Sequence, residues 1–172
     1  MGNLLSKVLL SNGPSDIQGN RDLFAPFVGS WDLEVVWYEG KNAVRRSRGE
    51  WHFAWVLNGR AIQDVWIVPP LAEQQSGAAP YEYGTSLRFP DADGKFWHST
   101  WHGPVRNMVA VFQARRVGDE IVLDRQNQGD NRSRWVFYDI ESDRFRWRNE
   151  ETDGTTERWS IVQGFVANRM AS

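Results

Sequence analysis

From Gly29 onward hydrophobic and polar residues alternate with a period of two, in short runs broken by Gly, Pro, Asn and Asp, a pattern that predicts strands. Candidate strands fall near 30–38, 46–57, 60–68, 81–89, 95–102, 107–115, 119–125, 132–139, 143–150 and 156–169. Their spacing is that of an all-β, roughly ten-stranded antiparallel barrel. Upstream, Leu4, Leu5, Val8, Leu9 and Leu10 form an apolar cluster interrupted by Ser6 and Lys7, read as a short amphipathic helix lying on the barrel and too short to span a bilayer. Asp22 to Val28 reads as one helical turn. The chain thus divides into an N-terminal segment, 1–20, and a single barrel domain, 21–172.

Two hairpins are legible in register. Asn58-Gly59 is the preferred pair for a two-residue type I′ turn, so Trp55 should oppose Ile62, Phe53 Asp64 and Trp51 Trp66, all on one face. The other face carries His52, Ala54, Val56, Ala61, Gln63, Val65 and Ile67. A three-residue turn at 140–142 would pair Phe137 with Phe145 and Trp135 with Trp147, leaving Arg134, Arg144, Arg146 and Arg148 outside. Residues 69–80, with three prolines, form the one long connection and read equally as a lid or as a surface excursion.

Composition narrows the function. With 20 Lys+Arg against 22 Asp+Glu, the net charge of −2 offers no bulk attraction to nucleic acid. The absence of cysteine removes disulfides and thiolate chemistry, and with no secretory signal visible the expectation is a cytoplasmic protein with no membrane partner. Met1-Gly2-Asn3-Leu4-Leu5-Ser6 fits the loose myristoylation pattern, a weak signal set against the bland reading as a helix. Ten tryptophans exceed what a core of this size requires, so some should line a cavity for a small-molecule ligand or substrate. The sequence leaves a homodimer open. It holds no Gly-x-Ser-x-Gly elbow, phosphate loop or dinucleotide fingerprint, and the expectation is a protein without a cofactor.

The helical turn followed by Phe27-Val28-Gly29-Ser30-Trp31 resembles the Gly-x-Trp signature of the calycins, which include lipocalins, fatty-acid-binding proteins, avidin and nitrobindin-like haem proteins. Gly49-Glu50-Trp51, the run Val56 to Asp64, Tyr83-Gly84-Thr85-Ser86-Leu87-Arg88, Phe145 to Arg148 and Asp153-Gly154 resemble the uncharacterised bacterial lipocalin-like proteins of the DUF1579 type over nearly the whole domain. The resemblance implies a barrel in which Trp31 packs under an arginine of the last strand, Arg158 or Arg169. It implies no activity, and no motif places a haem-ligating histidine near the C-terminus.

Asp64 is the most informative polar residue, because the first hairpin sets it among Trp51, Phe53 and Trp66. It is either an acid whose pKa the apolar site raises for proton transfer or half of an ion pair with Arg60 or another internal arginine. His98 and His102, flanked by Trp97 and Trp101, and less so His52, are the candidate partners in acid–base work. Spacing excludes a metal shared by His98 and His102, since four residues of strand span roughly 13 Å. Arg88 could bind a substrate carboxylate and Tyr83 donate its phenol, although the register of 81–102 is open by one residue. The candidate catalytic set is therefore Asp64, His98, His102, His52 and Tyr83. The candidate ligand-binding set is Trp51, Phe53, Trp55, Arg60, Trp66, Arg88, Trp97, Trp101, Trp135 and Trp147. Together these give the expected function: a small aromatic or apolar molecule bound in the barrel by a cofactor-independent lyase, decarboxylase, hydratase or isomerase. The alternative is a non-catalytic carrier or haem-binding protein.

Overall fold

The computed structural model describes residues 4–15, 23–155 and 158–171. Ten antiparallel strands close into one barrel: β1 (Gly29–Glu39), β2 (Asn42–Val56), β3 (Ala61–Val68), β4 (Glu82–Pro90), β5 (Trp97–Gly103), β6 (Met108–Val117), β7 (Glu120–Arg125), β8 (Ser133–Tyr138), β9 (Arg144–Glu151) and β10 (Ser160–Arg169). Each strand pairs with its sequence neighbours, and β1 seals against β10 from Trp31↔Arg169 to Trp37↔Gln163. Closure removes the unpaired edges that an open sheet would present.

The Asn58-Gly59 hairpin has the expected register, with Trp55↔Ile62, Phe53↔Asp64 and Trp51↔Trp66. Asn58 and Gly59 both have positive φ, 55° and 73°, as a type I′ turn requires. The β8–β9 hairpin corrects the expectation: Phe137 pairs with Trp147 and Trp135 with Asn149, a slip of two residues. The connection is longer than a three-residue turn because 139–143 also serves the barrel's closed end. Ser142 and Asp143 offer their carbonyls there to Arg169 Nε (2.7 Å) and to its backbone N–H (2.8 Å). A slip of two keeps every side chain on its face, so Phe137, Phe145 and Trp147 still point inward and Arg144 and Arg146 outward.

One end of the barrel is packed solid. The short 3-10 turn Ala25–Phe27 drops Phe24 and Phe27 into it, and Phe27 meets Phe137 and Phe145 at ring separations of 4.8 Å. Trp31 donates Nε1–H to the Phe27 carbonyl (2.7 Å), and the Arg169 guanidinium lies 4.0 Å over its ring. Arg169 also donates to the carbonyls of Val28 (2.9 Å) and Pro26 (2.8 Å), tying the end of β10 to the entry of β1. Gly29 is required here: its φ is 126°, and a Cβ would sit 2.7 Å from Arg169 Nη1. Of the two arginines expected over Trp31, the structure selects Arg169, while Arg158 is exposed.

The N-terminal helix α1 (Leu4–Leu9) buries none of its residues, with Leu4 72% and Val8 63% exposed. The segment after it, rather than the helix face, grips the barrel. The end of β2 runs past the start of β1, and there the Leu57 N–H reaches the Leu9 carbonyl (2.9 Å) and the Ser11 N–H the Trp55 carbonyl (2.9 Å). The first three residues of the acylation pattern, and Asp22 of the expected helical turn, lie outside the described residues. No helix is long and apolar enough to cross a membrane among the described residues.

Candidate functional site

The opposite end of the barrel is hollow. A cavity of about 260 Å³ opens between the C-terminal ends of β1, β3, β5 and β9 and the N-terminal ends of β4, β6, β8 and β10. Trp37, Trp51, Trp66, Trp101, Trp135 and Trp147 wall it. The Trp101 indole lies flat against the wall because Gly84 and Gly103 have no side chains: a Cβ on either would come within 2.7 Å of the ring. These two glycines convert wall space into cavity space.

Five of the ten expected ligand-binding residues line the cavity: Trp51, Trp66, Trp101, Trp135 and Trp147. Tyr83, expected as a proton donor, lines it as well. Phe53 and Trp97 lie instead in the packed end, where Trp97 meets Phe24 edge-on at 5.4 Å. Trp55 is half-buried against the core, and Arg60 is exposed at the hairpin turn.

The structure resolves the register of 81–102: Gly84, Ser86 and Arg88 point inward, as do Trp97, Ser99 and Trp101. Arg88 is therefore buried, but it holds Asp64 rather than a ligand. Both side chains are fully buried and in direct contact, and Asp64 Oδ1 also accepts the Ser86 N–H (3.2 Å). Phe24, Phe53 and Trp51 surround the guanidinium at 5.0, 5.7 and 5.8 Å. Burial pushes Arg88 down to about 9, which leaves it cationic at neutral pH. Neither Asp64 nor Arg88 lines the cavity; the pair sits below its floor. Asp64 is thus the internal ion pair of the two readings, with Arg88 rather than Arg60 as its partner.

The three histidines are on the outer face. His52 Nδ1 lies 2.9 Å from Ser30 Oγ and its Nε2 2.9 Å from Glu50 Oε2. His98 Nε2 pairs with Asp91 Oδ1 at 3.1 Å, its ring stacked on Phe89, and His102 is exposed. The alternation that turns Trp97 and Trp101 inward turns His98 and His102 outward, so flanking a tryptophan in sequence means facing away from it. The expected convergence of Asp64 with a histidine does not occur. Among the described residues no three His, Cys, Asp or Glu side chains gather to hold a metal ion.

The polar groups that do face the cavity are others. Glu82, the first residue of β4, accepts Trp66 Nε1–H (2.8 Å) and Gln163 Nε2–H (3.2 Å) on Oε2. Desolvation raises its pKa above the ordinary carboxylate value, against the lowering effect of those bonds, of Trp37 and of the Arg106 charge. Trp51, Trp147 and Ser86 also belong to the lining, but Trp51 Nε1, Trp147 Nε1 and Ser86 Oγ are themselves buried away from the cavity, without a hydrogen-bond partner among the described residues. Glu82 and Ser86 went unnamed in the sequence reading although parity on β4 holds the signal: once Arg88 is inward, so are 86, 84 and 82. The 69–80 connection carries the short helix α2 (Leu71–Gln75), tethered by the Leu71 N–H to Glu50 Oε1 (3.1 Å), and contributes nothing to the cavity lining.

No protein-family description matches the chain, and no curated protein matches it in sequence. Among solved structures it is similar to the crystal structure of Rv2717c from M. tuberculosis, with a TM-score of 0.58 at 13% identity, covering 91% of this chain and 100% of that one. At that identity the likeness is one of fold: a ten-stranded antiparallel barrel.

Proposed function

We propose that this barrel binds a small aromatic molecule in its tryptophan-walled cavity, and acts as a carrier. The observation that carries the reading is a cavity of about 260 Å³ walled by six tryptophans, Trp37, Trp51, Trp66, Trp101, Trp135 and Trp147, with Glu82 in its lining. The indole walls supply burial and ring contacts for such a molecule.

The carrier reading is favoured over an acid–base enzyme because Asp64 is neutralised by Arg88 and all three histidines lie outside. The same placement leaves no imidazole to ligate a haem in the cavity. The Trp31–Arg169 stack at 4.0 Å supports the resemblance to calycins, many of which carry ligands in the barrel.

Calorimetric titration with indole, phenol and acetophenone tests the reading, using the wild type and Met108→Trp, which fills the cavity from its mouth. Saturable one-to-one binding of at least one compound, lost in Met108→Trp, is the expected result. Failure of all three to bind, or binding indifferent to the plug, would overturn it.

A further inference from the structure

We propose that Glu82 makes the mouth of this cavity a site for the protonated amine of an aromatic ligand. The inference rests on the cavity being a ligand site and names the ligand's polar group. Glu82 is fixed by neighbours from two other strands, since its Oε2 accepts from Trp66 on β3 and from Gln163 on β10. A carboxylate so oriented at the edge of an apolar space is costly unless a counter-charge approaches it.

The protein supplies little of that counter-charge. Arg106 is the cation nearest in effect, but it is exposed, its guanidinium lies 4.5 Å over the Tyr81 ring, and among the described residues it forms no ion pair with Glu82. Solvent screens a charge in that position. Arg125 and Glu151 also reach the lining, and their charges offset one another. Trp66 and Trp37 hydrogen-bond Glu82 through their edges, and the cavity beyond it is walled by further indoles, whose π-faces attract cations. Carboxylate and rings favour the same group, an ammonium, by separate interactions.

The two ends of the site then ask for complementary chemistry. The mouth takes an amine on Glu82, and the indole walls deeper in the cavity take the ring of the ligand. An aromatic amine of the phenethylamine size spans the two within a cavity of about 260 Å³.

Three probes sharing one ring and one chain length test this: phenethylamine, phenethyl alcohol and phenylacetate, titrated at neutral pH and low salt into the wild type and Glu82→Gln. Phenethylamine should bind at least about tenfold tighter than the alcohol, and Glu82→Gln should bring the two within about threefold, mainly by weakening the amine. Equal affinity for amine and alcohol, tightest binding of phenylacetate, or an amine preference that survives Glu82→Gln would each overturn the inference while leaving the cavity reading intact. If none of the three binds the wild type, the inference falls, and the titrations with indole, phenol and acetophenone decide the cavity reading separately. Should Glu82→Gln fail to fold, the wild-type ranking of the probes decides the matter by itself.

Discussion

Removing one member of the Asp64–Arg88 pair should cost far more than removing both. In Asp64→Asn the carboxylate is replaced by a neutral amide of the same shape, and the Arg88 guanidinium is left charged in a fully buried site. Breaking a buried pair in this way costs roughly 3–5 kcal/mol, because the surviving charge keeps its desolvation penalty and loses its partner. The rings of Phe24, Phe53 and Trp51 at 5.0–5.8 Å go on stabilising the surviving guanidinium and keep the loss toward the lower end, since a cation–π contact in a desolvated site is worth about 2 kcal/mol. A net loss of about 2–4 kcal/mol follows, which for a domain of this size lowers Tm by roughly 4–16 °C. Replacing both residues, as in Asp64→Leu with Arg88→Met, removes both charges and fills the space with apolar atoms, so the double variant should lie within about 1 kcal/mol of wild type. Urea unfolding followed by tryptophan fluorescence, with unchanged m-values, of wild type, Asp64→Asn, Asp64→Leu, Arg88→Met and the double variant closes the cycle and should give a coupling of about 2 kcal/mol or more. A single variant indistinguishable from wild type, or a double variant whose loss equals the sum of the singles, would refute the reasoning.

Gly29→Ala places a Cβ 2.7 Å from Arg169 Nη1 at a φ of 126°, and should cost roughly 1–3 kcal/mol in urea unfolding; most of that cost should persist when it is added to Arg169→Leu, because the backbone strain does not depend on the arginine, and a cost that vanished there would contradict the assignment. Because burial raises the pKa of Glu82 above 4.5, the folded chain holds that proton more tightly than the unfolded chain. The stabilisation from this group is complete below the unfolded value and is lost as pH rises through the folded one. Wild type should therefore lose stability relative to Glu82→Gln as pH climbs out of the acid range, and a difference constant with pH would contradict the assignment. Replacing His52, His98 and His102 together by glutamine should leave phenethylamine affinity within about twofold, since all three imidazoles face outward; a large loss would return them to the site.

The fold was legible because period-two alternation and turn residues are local signals, and the Asn58-Gly59 turn propagates a register along two whole strands. The β8–β9 slip shows where local reading stops: the length of that turn answers to Arg169, which docks on Ser142 from the far end of the chain. The site was half legible for the same reason. Trp51 and Trp66 follow from the hairpin, whereas the partner of Asp64 and the facing of His98 depend on a β4–β5 register that no tight turn specifies. A single-residue ambiguity there decides whether Arg88 or Phe89, and Trp97 or His98, enters the barrel.

The division of aromatic residues between the two ends supports the cavity as the working part of the molecule. The closed end is packed largely with phenylalanine, Phe24, Phe27, Phe53, Phe137 and Phe145, which needs no hydrogen-bond partner, and its Trp31 has one in the Phe27 carbonyl. The hollow end is walled by indoles, of which Trp66 donates to Glu82 while Trp51 and Trp147 donate to nothing among the described residues. If shape and burial alone were at stake, phenylalanine at 51 and 147 would serve with less polar surface to satisfy. Indole walls around a cavity, beside a half-buried carboxylate, are the reverse of what stability alone favours. They are what a site built around an aromatic molecule with a cation at one end would require.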